Sequence, residues 1–260
     1  MKDIDNLKKI ALLIDADNAQ LSKLKPIIDE ISLHGHVIVK KAYGDWSSPL
    51  FKNWKDVLNE LAIQPVQQFV YTTGKNATDA IMIIEAMDLL YTDKYDAFAL
   101  VSSDSDFTML ATRLRAAEKY VFGIGEKKTP KSFKNACDDF ILTELLNKEP
   151  AKKSEPKHAG HTETEKAPPA EIIVKDELAP LSMEEIYDLL DTAYEKYQDE
   201  NGWVNVSSAG TFIKRIKPDF DTRSYGFSKL PDLIKHLSER YEMKRYKGAG
   251  TVTIIAYRKK

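Results

Sequence analysis

Apolar and polar positions follow two regimes along the first half of the chain. Short, strand-like runs fall at Ile10–Ile14, His36–Tyr43, Pro65–Tyr71, Ala97–Ser102 and Tyr120–Ile124, rich in branched and aromatic residues. Between them, apolar residues three and four apart mark helical stretches near Ala19–Leu33, Leu50–Leu61, Ala77–Tyr91, Phe107–Glu118 and Pro130–Cys137. Strand and helix in alternation predict an α/β domain whose parallel sheet carries helices on both faces. The unbroken apolar character of LLI and FALV suits strands buried on both sides.

From 149 to 180 the pattern stops. EPAKKSEPKHAGHTETEKAPPAEIIVKDELAP is rich in Pro, Ala, Lys and Glu and lacks aromatic residues. Such a segment buries too little apolar area to offset its chain entropy and reads as a flexible linker. The expected division is therefore 1–148, a linker at 149–180, and a second domain at 181–260. That second domain reads as helices at Ser182–Tyr197, Ser207–Lys217 and Leu230–Arg240, then a hairpin of Tyr241–Tyr246 and Thr251–Tyr257 turning at 247–250. Apolar residues at 183, 186, 189, 190, 193, 194 and 197 give its first helix a stripe for the core. Three helices and a terminal hairpin predict a small α+β winged helix-turn-helix.

Composition narrows the function only a little. With 43% apolar and 30% charged residues and a formal net charge of -2, the chain lacks a strongly basic coat, which leaves room for a local basic groove. A single cysteine, Cys137, excludes an internal disulfide framework and a cysteine-rich zinc site. His158 and His161 stand in the linker without a nearby acid or thiol, so no metal role is expected for them. No apolar run reaches the length of a membrane span, and the first residues run straight into IDAD without a small-residue cleavage site. A cytoplasmic protein without membrane contact is expected.

The chemistry lies at the strand ends. In open parallel sheets, ligands bind outside the carboxyl ends of the strands, where the strand order reverses. Asp15 ends the first strand, and Asp104 and Asp106 follow the fourth in SSDSDF. In the order 3-2-1-4-5 these strands are neighbours, so the acids converge. Asp79 joins them from the first turn of the helix after strand three. Two like charges about 4 Å apart repel by about 4 kcal/mol at an effective dielectric near 20, which raised pKa values or a divalent cation relieves. Oxygen ligands without His or Cys point to Mg²⁺ or Mn²⁺, and such centres suit phosphodiester cleavage. A structural role competes at each position: Asp17, Asn18, Ser105 and Asp106 are placed to cap helices, and Asp79 to complement a helix dipole. The convergence of acids from separate segments favours the metal site. Asp-x-Asp also occurs in haloacid-dehalogenase-type phosphatases, but Asn18-Ala19 follows here and no cap-domain insertion is evident.

At IDADNA, GKNATDAIMIIEAMDLLY and VSSDSDF, the first 147 or so residues resemble the NYN domain family, PIN-like nuclease relatives that include LabA-like proteins. The resemblance implies a PIN-like Rossmannoid fold and metal-dependent ribonuclease chemistry. By motif it assigns Asp15, Asp79, Asp104 and Asp106 as metal-binding catalytic acids, Asn18 as a ligand or phosphate contact, and Lys75 as a substrate contact. Glu85, where many relatives have Asp, and Asp88 fall outside this set. Residues from about 181 to 258, through NGWVNV and PDFDTRSYGFSKL, resemble the OST-HTH (LOTUS) domain, with N-G-W-V in place of D-G-W-V. That family is regarded as binding RNA, with protein partners for some members.

The second domain carries fourteen Lys and Arg against twelve Asp and Glu. Arg223, Tyr225 and Lys229 are the expected RNA contacts, the ring stacking a base and the cations meeting phosphates. Trp203 and Phe227 are expected in the core. Lys40, Lys41, Arg113 and Arg115 are weaker candidates for steering RNA. The expectation is thus a metal-dependent endoribonuclease with a C-terminal RNA-binding or protein-docking module. A non-catalytic RNA-binding scaffold is the alternative, and a haloacid-dehalogenase-type phosphatase a more distant one.

Overall fold

Strand β1 (Lys9–Asp15) is buried along all but its first residue, and the destination of its side chains organises the N-terminal half. The computed structural model describes residues 9–68, 77–146, 181–247 and 253–260. The expected linker, Lys75, the end of the third expected strand and the tip of the hairpin lie outside them. Strands β2 (His36–Gly44), β3 (Gln64–Gln67), β4 (Ala97–Val101), β5 (Tyr120–Gly125) and β6 (Asp139–Leu142) complete a sheet in the order β3-β2-β1-β4-β5-β6. Every neighbouring pair is parallel.

Alternation along β1 and β4 divides two cores. Ile10, Leu12, Ile14, Ala97, Ala99 and Val101 face helices α1 (Leu24–Ser32) and α2 (Trp54–Glu60). Ala11, Leu13, Phe98 and Leu100 face helices α3 (Ala77–Tyr91), α4 (Thr108–Ala116) and α5 (Lys131–Ala136). The next residues in step, Asp15 and Ser102, therefore belong to the side on which α3 begins.

The expected strand order holds and gains a sixth member. CDDFIL reads as a polar break followed by a short apolar run, because Asp138 and Asp139 precede Phe140. In the fold Asp138 accepts the Val121 N–H at 2.9 Å and an Arg115 N–H at 3.1 Å, so the chain turns back along β5. The helix expected from Ala19 begins later. Residues 16–19 form a turn in which the Asn18 and Ala19 N–H groups donate to the Asp15 carbonyl, and a short 3₁₀ segment, Leu21–Lys23, precedes α1. Neither Asp17 nor Asn18 caps these helices.

The C-terminal residues form α6 (Met183–Tyr197), a short strand β7 (Val204–Asn205) that the pattern does not announce, α7 (Val206–Ile216), α8 (Leu230–His236), β8 (Tyr241–Lys247) and β9 (Thr253–Lys259). The strands pair antiparallel in the order β7-β9-β8. Ser182 starts α6 with a capping box, its hydroxyl accepting from the Glu185 N–H and the Glu185 carboxylate from the Ser182 N–H. Of the expected stripe, Ile186, Leu190 and Ala193 are buried, whereas Met183 is 39% exposed. Among the described residues no helix is long and apolar enough to cross a membrane.

The two parts touch. The Phe140 N–H on β6 donates to the Pro218 carbonyl at 2.9 Å, giving an edge-strand donor a partner. Lys214 donates to the Asp139 carboxylate, and Arg223 donates to both oxygens of Glu30, at 3.1 and 3.2 Å. A flexible linker by itself does not predict these contacts.

Candidate metal centre

Asp15 is fully buried, which a lone carboxylate tolerates only with donors around it. Its Oδ2 accepts from the Ser102 hydroxyl and from the Asn18 side-chain amide, each at 2.7 Å, and its Oδ1 from the Asp17 N–H at 3.2 Å. Ile14 pairs with Val101, so Ser102 stands beside Asp15 as the next residue on the same face. Ser102 also accepts the Asp104 N–H at 3.0 Å. One buried hydroxyl thus ties the ends of β1 and β4 together. Ser102 is no acid, so residue type alone does not single it out. Its signal is the pleat: two residues past Leu100, it falls on the α3 side.

Asp104 caps the 3₁₀ turn Ser105–Phe107, its Oδ1 accepting from the Asp106 N–H at 2.9 Å. Asp79 lies in the first turn of α3. Oxygens of Asp79, Asp104 and Asp106 all lie within 4.8 Å of one another. An octahedral ion with ligands at about 2.1 Å holds opposite oxygens about 4.2 Å apart, so small movements suffice to close these three around a Mg²⁺ or Mn²⁺. The donor set of carboxylates alone fits such a hard cation. Asp15 stands apart from this trio yet close enough to act on it electrostatically.

Charge crowding appears in the acidities. Burial pushes the Asp79 carboxyl up to about 6, and the negative charges of Asp15, Asp104, Asp106 and Asp17 push the same way. Burial also raises Asp15, against the opposing hydrogen bonds from Ser102 and Asn18. A divalent cation reverses this penalty by favouring the ionised forms.

Of the other expected contacts, Asn18 is exposed but directs its amide at Asp15. Glu85 accepts from Lys41 at 2.6 Å and from the Tyr43 hydroxyl at 2.9 Å, a packing role on β2. Lys40 donates to the Leu61 carbonyl, and Arg115 serves Asp138 and the end of α5. In the C-terminal part, Arg223 is divided between Asp221 and Glu30, Tyr225 stacks 6.0 Å from Phe220, and Lys229 is exposed ahead of α8. Phe227 packs against the core. Trp203 does not join it; the residue is partly buried, its ring beneath two cations.

Gly125 packs closely against the Ser102 backbone. A Cβ there would lie 2.6 Å from the Ser102 carbonyl oxygen and 2.8 Å from the Thr129 hydroxyl. Backbone cannot yield as a flexible side chain can, so Gly125→Ala should cost about 1–3 kcal/mol. A melting temperature equal to that of the wild type would contradict this reading of the close approach.

Comparison with known proteins agrees with the geometry. The OST-HTH/LOTUS domain matches residues 177–253. No curated protein matches the chain. Two solved structures resemble it in part. A protein of unknown function from Vibrio parahaemolyticus is 20% identical over 54% of this chain and 95% of its own, with a TM-score of 0.44. An uncharacterized protein from Nitrosomonas europaea is 24% identical over 38% of this chain and 92% of its own, with a TM-score of 0.28. The NYN domain matches residues 9–145, the span that holds the whole parallel sheet and every acid of the centre, and the chain belongs to the NYN domain family.

Proposed function

We propose that the chain is a metal-dependent endoribonuclease, with the C-terminal domain binding RNA or docking a protein partner. The observation that carries this reading is the convergence of Asp79, Asp104 and Asp106 within 4.8 Å at the carboxyl end of the sheet, above buried Asp15. Nuclease-like chemistry is what the NYN family suggests, and RNA binding is what the OST-HTH/LOTUS domain suggests.

Asp79, Asp104 and Asp106 would hold Mg²⁺ or Mn²⁺, and Asp15 adds negative charge behind them. When bound, the cation would lower the pKa of a water and neutralise charge on the phosphate undergoing in-line attack. Ser102 holds Asp15 and the Asp104 backbone in register. Asn18 shares with Ser102 the restraint of the Asp15 Oδ2 and, as an exposed residue, is proposed to meet an RNA phosphate. Asp79, whose carboxyl is pushed up to about 6 without metal, is the ligand whose ionisation the cation would have to draw out on binding. Lys75, just before α3, is proposed to contact the RNA backbone. A phosphatase using Asp15 as nucleophile would need an accessible carboxylate, whereas that of Asp15 is fully buried and holds three donors.

The experiment is to incubate purified protein with mixed single-stranded RNAs in Mg²⁺, Mn²⁺ or EDTA. Internal cleavage in either metal and none in EDTA is expected. Intact RNA under all three conditions, with RNA still bound, would instead favour a non-catalytic binding scaffold.

A further inference from the structure

The hairpin of β8 and β9 divides by charge along its length. At its base the cations are paired: Arg240 and Lys259 both reach Asp191, and Arg258 reaches Glu242. Farther out, residues 243–247 and 253–257 include three basic residues, Lys244, Arg245 and Lys247, and no acid. None of the three has a carboxylate within ion-pair distance among the described residues. Burial falls along the same line. Tyr241 is buried, whereas Arg245, Tyr246 and Lys247 are exposed in succession, so this end projects beyond the core.

The pleat sorts the faces. Tyr241 and Met243 join the core, which leaves Glu242, Lys244 and Tyr246 on the outer face, opposite Arg258, Ala256 and Ile254. Trp203, leading into β7, completes that face: its ring lies 4.1 Å from the Lys244 Nζ and 4.8 Å from the Arg258 guanidinium. Lys244 also lies 5.1 Å from the Tyr246 ring. Trp203 thereby holds both cations in place, while Tyr246 remains 39% exposed.

We propose that Lys244, Arg245, Tyr246 and Lys247, with Trp203 as a positioning residue, form a contact site for single-stranded RNA. The proposal deepens the reading of the chain as an RNA-directed protein and rests on it. The pleat turns Arg245 and Lys247 to the face opposite Tyr246, but β8 is the edge strand of its sheet. A flexible strand running along that edge can therefore stack an unpaired base on Tyr246 and meet Lys244 on one side and Arg245 and Lys247 on the other. A duplex shields its bases from such a ring, and the deep, narrow major groove of A-form RNA closes out side chains. The segment around Arg223 is less suited, because a phosphate there must displace Asp221 and Glu30 from the guanidinium.

The test measures binding of the full chain to a short fluorescein-labelled single-stranded RNA of mixed sequence, in EDTA, by anisotropy across a salt series. Replacing Lys244, Arg245 and Lys247 together by Gln should weaken binding at least tenfold at low salt. The slope of log affinity against log salt should fall by about two, near 0.7 for each phosphate that the variant leaves unneutralised. Tyr246→Ala should weaken binding roughly tenfold with the slope unchanged, since a stacking contact releases no counterion. Melting of both variants should stay close to the wild type, because Arg245, Tyr246 and Lys247 are exposed and Lys244 contributes weak cation–π contacts to Trp203 and Tyr246. Wild-type affinity and slope in the triple variant, or no RNA binding by the wild type, would overturn the site. Equal weakening on double-stranded DNA would overturn the single-strand assignment in favour of duplex recognition. Binding is read without metal, so absence of cleavage removes the nuclease reading and leaves this site standing.

Discussion

Asp104→Asn is expected to slow RNA cleavage by about three orders of magnitude while leaving the protein folded. The asparagine oxygen can still accept the Asp106 N–H that Asp104 accepts at 2.9 Å, so the turn into α4 keeps its cap. What disappears is one negative charge from a cluster that must bind a dication. Without metal, the same change relieves repulsion on Asp79, to which Asp104 contributes. The melting temperature in EDTA should therefore stay level or rise. Wild-type cleavage by the variant would remove Asp104 from the centre. Loss of cleavage together with loss of the circular-dichroism signal would make its role structural.

The second large effect is a reversal of pH dependence by metal. Asp79 is held at about 6 in the fold, above its ordinary value of 3.8. Between those values the folded state binds more protons than the unfolded one, so lowering the pH favours folding. Metal-free protein should therefore gain stability, through Asp79, as the pH falls from about 7 toward 4. Asp79→Asn should abolish that component, and the difference between the two melting profiles isolates it from other titrating groups. A bound cation demands the ionised carboxylate, so Mg²⁺ or Mn²⁺ should stabilise the wild type at pH above about 6 and progressively less below it. Identical wild-type and Asp79→Asn profiles, with and without metal, would show that Asp79 neither titrates in this range nor binds the ion.

Much of the N-terminal fold is legible in the sequence because its signals are local. The runs at 10–14 and 97–101 suit only strands buried on both faces, and strand ends in such a sheet locate the site. Asp15, Asp104 and Asp106 follow from that rule. Asp79 is harder, since the segment joining β3 to α3 does not by itself fix where α3 begins in space. Ser102 is hidden inside a run of two serines and two aspartates, where only the alternation from Leu100 singles it out. The sixth strand escapes notice because Asp138 and Asp139 look like a break. Their partners, Arg115, Val121 and Lys214, stand far off in sequence. The contacts of Arg223 with Glu30 and of Phe140 with Pro218 are illegible for the same reason. Trp203 reads as core because large aromatics usually are. A sheet face that ends before its tryptophan is covered cannot be seen until β7, β8 and β9 are placed side by side.

The proposed nuclease chemistry needs a divalent ion between Asp79, Asp104 and Asp106. Crystals soaked in Mn²⁺ and measured at the manganese edge test it most directly. One strong anomalous peak is expected within about 2.2 Å of an oxygen from each of the three carboxylates, and its loss in Asp104→Asn. No peak there, with manganese bound elsewhere or not at all, would contradict it.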